Sequence, residues 1–157
     1  MKYYLRYFLI FLYLAIIASG LLYAQGGPAG EPIDNMHHFM EYVFEPRYKE
    51  LKRALVAEPV DKQTWNKIKV GSLTLAEAAN LLITRPPGEA QDDQKALWSG
   101  YARDVRSEAT AVFQAARKKQ FTSVRDAFHS TIQKCNACHQ MFTEGKYQLE
   151  PWAHLVL

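Results

Sequence analysis

The sequence predicts an all-α fold, an antiparallel up-down-up-down bundle of four helices. Apolar residues recur at helical spacing in four successive segments, and no segment alternates apolar and polar residues as a half-buried strand does. The connections between the segments are short, which favours helices that pack beside their neighbours in sequence. The length of 157 residues suits one domain of ordinary size.

Composition excludes several classes of protein. The formal net charge is +3, from 19 Lys and Arg against 16 Asp and Glu, and no basic cluster of the kind that binds nucleic acid is present in the sequence. With 48% hydrophobic residues, 8 Gly and 7 Pro, the chain is neither collagen-like nor a disordered acidic sequence. Two cysteines are too few for a disulfide-rich scaffold.

Residues 1–24 have the pattern of a secretory signal peptide. Lys2 and Arg6 give a positive start, a long apolar run follows, and small residues lead up to Ala24. Without Lys2 and Arg6 the formal net charge falls to +1, so charge offers no argument about binding partners. We expect export to the periplasm and cleavage after Ala24.

An uncleaved membrane anchor is the alternative for this segment. Residues 7–23 are apolar and close to the shortest stretch that spans a bilayer. In either case residues 25–32 are expected to form a flexible lead, and residues 33–157 the folded domain. A membrane is therefore a predicted partner only if the N-terminal segment is retained.

Four helices are predicted beyond the lead, over approximately residues 33–57, 61–84, 94–119 and 122–142. Asp61 is a plausible N-cap for the second helix, and Pro86-Pro87-Gly88 ends it. Pro46 should kink or interrupt the first helix at Glu45, because proline lacks the backbone N–H that a helix interior requires. After the fourth helix the chain is expected to be irregular, with Trp152 packing back on the domain.

The predicted third helix has one apolar face in a single register. Its members are Leu97, Trp98, Tyr101, Val105, Val112 and Ala116. Such a face is typical of a helix whose one side lies against the core. Trp98 is also a candidate to form a wall of a cofactor site, with ordinary core packing as the alternative.

The chemistry of the sequence is concentrated in the predicted fourth helix, at Cys135-Asn136-Ala137-Cys138-His139. Residues three apart lie on one face of a helix, so both sulfurs can reach the two vinyl groups along one edge of a haem. The adjacent His139 can then place an imidazole nitrogen beneath the iron. C-x-x-C-H is the pattern of c-type haem attachment, and we predict one covalent haem c held by Cys135, Cys138 and His139.

Three other interpretations of the cysteine pair remain open. A structural zinc site needs four ligands, and the remaining candidates are His129, His154 and the N-terminal histidines. A thioredoxin-type redox pair belongs near a βα junction, whereas this pair lies late in a helical chain. A simple disulfide in an exported protein is the third alternative.

An exported four-helix bundle with C-x-x-C-H near its C-terminus resembles the cytochrome c prime family. The segment Ala96-Leu97-Trp98-Ser99-Gly100-Tyr101, which opens the third helix after a proline-rich loop, is also similar to that family. The resemblance covers residues 33–142, and C-x-x-C-H is its one strong motif. It implies that His139 is the proximal iron ligand and that the haem lies on the C-terminal helix.

The resemblance also bears on the far side of the haem. In the family an Arg of the first helix precedes, by four residues, the side chain that faces the distal side of the haem. Here Met36 takes the place of that Arg, and the same offset puts Met40 over the iron as its sixth ligand. Met36 lies one helical turn away and is the second candidate. His37 and His38 are a further alternative, as is a role of both methionines as core residues.

The resulting functional prediction is a single-electron carrier with His139/Met40-ligated iron. The resemblance implies a second function, a five-coordinate haem protein that binds NO or CO, if no side chain ligates the sixth position. A non-haem metal or dithiol protein is a remote third. No paired carboxylates and no nucleophile with an adjacent base are evident, so we predict no enzymatic activity. Expected partners are redox proteins, and the resemblance implies a possible homodimer.

Overall fold

The computed structural model describes residues 32–88 and 90–151, and within these ranges the chain is all-helical with no strand. The first helix, α1, has three stretches: α-helical Met36–Phe39, π-helical Met40–Phe44 and α-helical Glu45–Ala54. It is followed by α2 (Lys62–Leu82), α3 (Asp92–Arg117) and α4 (Phe121–Thr143). The prediction of a helical bundle with four helices is confirmed in this part of the chain. The predicted signal peptide, most of the lead, Trp152 and His154 lie outside the described residues.

Pro46 is accommodated by a change in helix type. The backbone N–H of Glu45 donates to the carbonyl of Met40, five residues back, which is the hydrogen bond of a π turn. Pro46 then stands at the start of the next α-helical stretch, where its missing N–H costs least. The irregularity expected at Glu45 is therefore present, as a widened turn rather than as a break.

Asp61 caps α2 as the sequence predicts. Its backbone is extended (φ −122°, ψ 157°), and its carboxylate accepts hydrogen bonds from the backbone N–H of Thr64 at 2.7 Å and from the Thr64 hydroxyl at 2.8 Å. The backbone hydrogen bond from Thr64 is the main reason that the pKa of Asp61 lies below its ordinary value of 3.8. The cap satisfies one of the donors that a helix N-terminus leaves without an intrahelical partner.

Buried apolar side chains form two groups. The main core joins all four helices and includes Leu51, Ile68, Val112 and Phe128, each no more than 1% exposed. The second group, here called the end cluster, has a buried centre of three residues and a surround of partly exposed apolar ones. Its centre is Leu82, Trp98 and Ala102, and its surround is Met36, Phe39, Met40, Phe44, Ile83, Cys138 and Phe142.

One predicted core position of α3 is wrong. Leu97 is 47% exposed, whereas the neighbouring Trp98 is 4% exposed and lies at the centre of the end cluster. Adjacent residues of an α-helix point about 100° apart, so only one of the two can lie in the middle of a buried face. The larger Trp98 removes more apolar surface from water, and Leu97 is left at the edge.

The helices pack as sequence neighbours, α1 on α2, α2 on α3 and α3 on α4. In the described part of the chain no Cα atom of α1 lies within 8 Å of a Cα atom of α4. Large side chains cross this wider gap, as where the Tyr48 and Phe128 rings stack with centroids 6.3 Å apart. Of the four helix pairs α1–α2, α2–α3, α3–α4 and α1–α4, the pair α1–α4 therefore has the widest separation of its backbones.

Candidate functional site

The end cluster brings together four of the side chains that the sequence analysis assigns to a cofactor. Met36 and Met40 of α1 pack against the same buried centre as Cys138 of α4, and Trp98 of α3 belongs to that centre. Met36 and Met40 are related by the four-residue spacing of one helical turn, but no sequence spacing relates them to Trp98 or Cys138, which lie on other helices. Cys135 and His139 are not members of the cluster, although both are only partly exposed.

Trp98 is fixed within the cluster by two contacts. Its indole N–H donates to the backbone carbonyl of Leu82 at 2.6 Å. Its ring meets the ring of Phe142 edge to face, with centroids 5.0 Å apart and planes at 79°. The C-terminal end of α2, the first turns of α3 and the last turn of α4 are thus joined through one side chain.

Cys135 and Cys138 are free thiols in apolar surroundings. Burial raises the pKa of the Cys135 thiol to about 12, with the neighbouring Cys138 adding a smaller rise. Burial likewise raises the pKa of the Cys138 thiol to about 11. Both are therefore protonated at neutral pH and poor nucleophiles as thiols, unlike the low-pKa cysteine of a redox dithiol motif.

His139 is held in one tautomer by the chain that follows α4. Its Nδ1 lies 2.6 Å from the backbone carbonyl oxygen of Tyr147. A carbonyl oxygen only accepts, so Nδ1 carries the proton and Nε2 keeps a free lone pair. Burial lowers the pKa of His139 below 6.5, against a smaller opposing effect of the bond to Tyr147, so the ring is neutral at pH 7. This is the form in which histidine binds a metal ion.

The chain turns back over α4 immediately after its last residue. Glu144 and Gly145 have left-handed backbone conformations, with φ of 53° and 75°. The positive φ favours glycine at Gly145, because a residue with a Cβ atom is strained in this conformation. Residues 146–150, here called the return segment, then run beside the helix and bring the Tyr147 carbonyl to His139.

Two side chains anchor the return segment. The Asn136 amide donates to the carbonyl of Leu149 and accepts from the Leu149 backbone N–H, both at 2.8 Å. The Tyr48 hydroxyl of α1 donates to the Glu150 carbonyl at 2.5 Å. Asn136 stands inside the C-x-x-C-H motif, but the motif gives no signal for its role because that position accepts any residue type.

Arg85 is a further residue that the sequence analysis missed. Its guanidinium lies 4.3 Å from the centre of the Phe39 ring, a member of the end cluster, and its Nη2 donates to the carbonyl of Asp34 at 3.0 Å. Its Nε is buried and has no hydrogen-bond partner among the described residues. A buried donor without an acceptor is costly, so the edge of the end cluster offers a hydrogen bond to an anionic or carbonyl group. In the sequence, the one feature that distinguishes Arg85 is its position directly before two prolines.

The N-terminal histidines make their contacts with carboxylates at the surface. His38 Nδ1 lies 2.9 Å from a carboxylate oxygen of Asp34, and His37 Nε2 lies 3.7 Å from one of Glu41. Both contacts are between residues four apart at the surface, and the His37 side chain is 68% exposed. These surface contacts account for the presence of both histidines without a role for either as an iron ligand.

Other metal chemistry has little support in the described residues. They contain no group of three or more His, Cys, Asp and Glu side chains that could hold a metal ion, and a structural zinc site takes four ligands. His129 is exposed and lines a surface groove with Phe121, Thr122, Arg125 and Asp126, on the opposite half of α4 from the cysteines. It therefore cannot complete a site with them.

The donor set and its surroundings fit a haem. They combine two thiols in an apolar environment, an adjacent neutral imidazole with a free Nε2, an apolar cluster with an incomplete cover and an orphaned buried donor at its edge. Each of the helices 62–82, 92–117 and 121–143, like the shorter one before them, lacks the length or the apolar character needed to cross a membrane. No protein-family model, curated protein or solved structure matches this chain.

Proposed function

We propose that the chain is an exported c-type cytochrome that carries one haem on Cys135 and Cys138 and transfers single electrons. His139 is the proximal iron ligand and Met40 the sixth ligand in this proposal. When bound, haem c supplies a reversible one-electron redox couple at its iron. The observation that carries the proposal is the meeting of Cys138 with Met36, Met40 and Trp98 in one incompletely covered apolar cluster.

The surround of the end cluster supports a large apolar occupant. Seven apolar side chains pack on a buried centre of only three and remain partly exposed to solvent. At about 25 cal/mol for each Å² of apolar surface removed from water, covering them would stabilise the domain considerably. Such a group would lie between α1, which carries the methionines, and α4, which carries the cysteines. No Cα atoms of these two helices lie within 8 Å of each other in the described residues.

The residues of the site have distinct tasks. The cysteine thiols anchor the group, and the neutral His139 presents Nε2 because its Nδ1–H is engaged by Tyr147. Met40 offers a thioether, a soft donor that raises the reduction potential of a haem when paired with histidine. The Nε–H of Arg85 is available to donate a hydrogen bond to a propionate carboxylate of the haem. Arg85 would thereby take the role of the first-helix Arg of the cytochrome c prime family, whose position Met36 occupies here.

The architecture that goes with this function is an antiparallel up-down-up-down bundle of the cytochrome c prime type. The composition of the end cluster supports it, because the start of α1, the end of α2, the start of α3 and the end of α4 meet there. We propose the periplasm as its location and redox proteins as its partners, with a homodimer as a possible assembly.

The test is expression of the full chain in a host that exports it and attaches haem c. The double variant Cys135→Ala/Cys138→Ala is the informative change, and His129→Ala is the matched control because His129 is exposed and remote from the cysteines. We expect a visible spectrum of a haem protein and a haem-staining band on a denaturing gel, both lost in the double variant and kept in the control.

The spectrum also decides the functional class. A low-spin spectrum that does not change on exposure to CO agrees with the electron carrier. A high-spin ferrous protein that binds CO at once contradicts Met40 ligation and indicates a gas-binding protein. Absence of haem bands after export, or haem extractable with acid and organic solvent, contradicts the covalent cytochrome altogether.

A further inference from the structure

The Asn136 side chain closes a hydrogen-bonded ring between α4 and the return segment. Its amide makes a reciprocal pair with the backbone of Leu149, and one helical turn later His139 meets the carbonyl of Tyr147. The two pairs are three residues apart on the helix and two residues apart on the return segment. A third bond, from the Gln148 amide to the Asn136 carbonyl at 3.5 Å, lies between them.

Among the described contacts, the Tyr147 carbonyl itself meets only His139, so its position depends on how the neighbouring residues of the return segment are held. Tyr147 is 56% exposed, and its ring lies 6.5 Å from the imidazole of His139. The α4 C-cap turn at Gly145 precedes the carbonyl, and the Asn136–Leu149 pair is the nearest hydrogen-bonded anchor after it. The packing of Leu149 on the main core and the Tyr48–Glu150 bond hold the segment further along. The position of the carbonyl therefore depends on where Leu149 is fixed.

We propose that Asn136 is a positioning residue for His139. By fixing Leu149 it holds the Tyr147 carbonyl within hydrogen-bond distance of Nδ1, which keeps the proton on Nδ1 and leaves Nε2 free for a metal ion. The inference rests on the proposed function in one respect only, the identity of the iron as the metal that Nε2 would bind. The control of the tautomer by Asn136 is a property of the chain itself.

The physical reason is that two neutral tautomers of imidazole differ little in free energy in water, so one hydrogen bond decides between them. A bond of about 1.4 kcal/mol gives a tenfold preference. If the return segment moves away, His139 loses that preference and Nε2 is protonated in part of the molecules. In a metal-binding histidine, the hydrogen bond made by the ring nitrogen that does not bind the metal also sets the orientation of the ring.

The test compares Asn136→Leu with Gln133→Leu in the full-length chain. Leucine has nearly the shape of asparagine but neither donates nor accepts, and Gln133 lies exposed one turn earlier on the same helix. Two properties are read by ¹⁵N NMR, the exchange rate of the Leu149 backbone N–H and the state of the His139 Nδ1–H. In the purified chain without haem the second is read from the ¹⁵N shifts of the ring. In the reduced, haem-loaded protein, where iron on Nε2 by itself keeps the proton on Nδ1, it is read from the exchange rate of the Nδ1–H.

We expect Asn136→Leu to speed exchange of the Leu149 N–H at least tenfold and to remove the slowly exchanging Nδ1–H signal of His139. Gln133→Leu should match wild type in both. Where Asn136→Leu does not fold, Asn136→Asp replaces it. The aspartate still accepts from Leu149 but no longer donates, and an intermediate loss of both signals is expected.

Two results in a folded Asn136 variant with rapid Leu149 exchange would overturn the inference: an unchanged His139 tautomer in the chain without haem, or an Nδ1–H that still exchanges slowly in the haem-loaded protein. In either case the segment would be released without effect on the ring. Equal losses in Gln133→Leu would overturn it as well. Failure of the proposed function is distinct from both, because it is recognised by the absence of haem and leaves the dependence of His139 on Asn136 measurable.

Discussion

Trp98 and Trp65 offer a matched pair of perturbations that separates the end cluster from the main core. Both indoles are almost fully buried, at 4% and 5% exposure. Both donate their N–H to a backbone carbonyl, Trp98 to Leu82 at 2.6 Å and Trp65 to Pro59 at 3.1 Å. Trp98 lies at the centre of the end cluster, whereas Trp65 belongs to the main core. Replacing each by Phe removes the same chemical groups from two different places.

The expected loss of stability follows from two contributions. The Leu82 carbonyl also accepts from the backbone N–H of Arg85 at 3.0 Å, so Trp98→Phe does not leave it without a partner and costs only the net value of one hydrogen bond, about 1 kcal/mol. The smaller ring leaves a void on the order of 40 Å³, which at about 24 cal/mol per Å³ adds about 1 kcal/mol. We expect Trp98→Phe to lower the free energy of unfolding by about 2 kcal/mol, as measured by urea denaturation. Trp65→Phe should lower it by at least as much, because the described residues give the Pro59 carbonyl no second donor.

The two variants should differ in the visible spectrum. Trp98→Phe changes the wall of the proposed haem site and should shift the haem bands or the reduction potential, whereas Trp65→Phe should leave both at their wild-type values. A Trp98→Phe protein with an unaltered spectrum and potential would show that Trp98 is a core residue only. Equal spectral changes in both variants would refute the division of the interior into two groups.

Three further predictions concern the ligand, the core and the cap. Met40→Ala should turn the iron high-spin, remove the weak near-infrared sulfur–iron band and open the site to CO. Met36→Ala should stay low-spin, and the reverse result would assign the sixth ligand to Met36. Leu51→Ala should cost about 3 kcal/mol in urea unfolding because Leu51 is fully buried, whereas Leu73→Ala, at a site 42% exposed, should change it by less than about 1 kcal/mol. Because the pKa of Asp61 is lowered on folding, its carboxylate stabilises the fold fully above the unfolded value of 3.8 and loses this effect as the pH falls through the folded pKa. The stability difference between wild type and Asp61→Ala should accordingly be constant from pH 5 to 7 and shrink below pH 3.8; a difference that grows in acid would contradict the cap.

The sequence predicts local structure here better than it predicts contacts. Helical periodicity and the Asp61 cap place α2 within two residues at each end, because both signals depend on neighbouring residues. The register of α3 is right for Trp98 and wrong for Leu97, since periodicity alone does not choose between two adjacent apolar residues. The antiparallel order of the helices stays a prediction.

The candidate site divides in the same way. The spacing of Cys135, Cys138 and His139 is a local signal and can be interpreted from the sequence alone. The return segment has no periodicity, so its pairing with Asn136 thirteen residues away cannot be predicted from composition or pattern. Arg85 is missed for a related reason, since the lack of a partner for its Nε is visible only when the surroundings of the side chain are known.

The π turn at Met40–Phe44 has a consequence for the tolerance of α1 to changes in length. Four residues of a π turn rotate the chain about the helix axis by slightly less than one full turn, and three residues of an α-helix rotate it by about 300°. The two rotations are therefore similar. Deleting one exposed residue within the turn, such as Tyr42, would keep Met40 and Phe44 at nearly the same relative phase. It would also put Pro46 in the interior of a uniform α-helix, where its missing N–H and its ring are costly. Inserting one residue would rotate Met36 and Met40 by about 100° away from the end cluster. The extra residue of the π turn therefore allows α1 to contain Pro46, and we expect both a shortening and a lengthening of the turn to destabilise the helix.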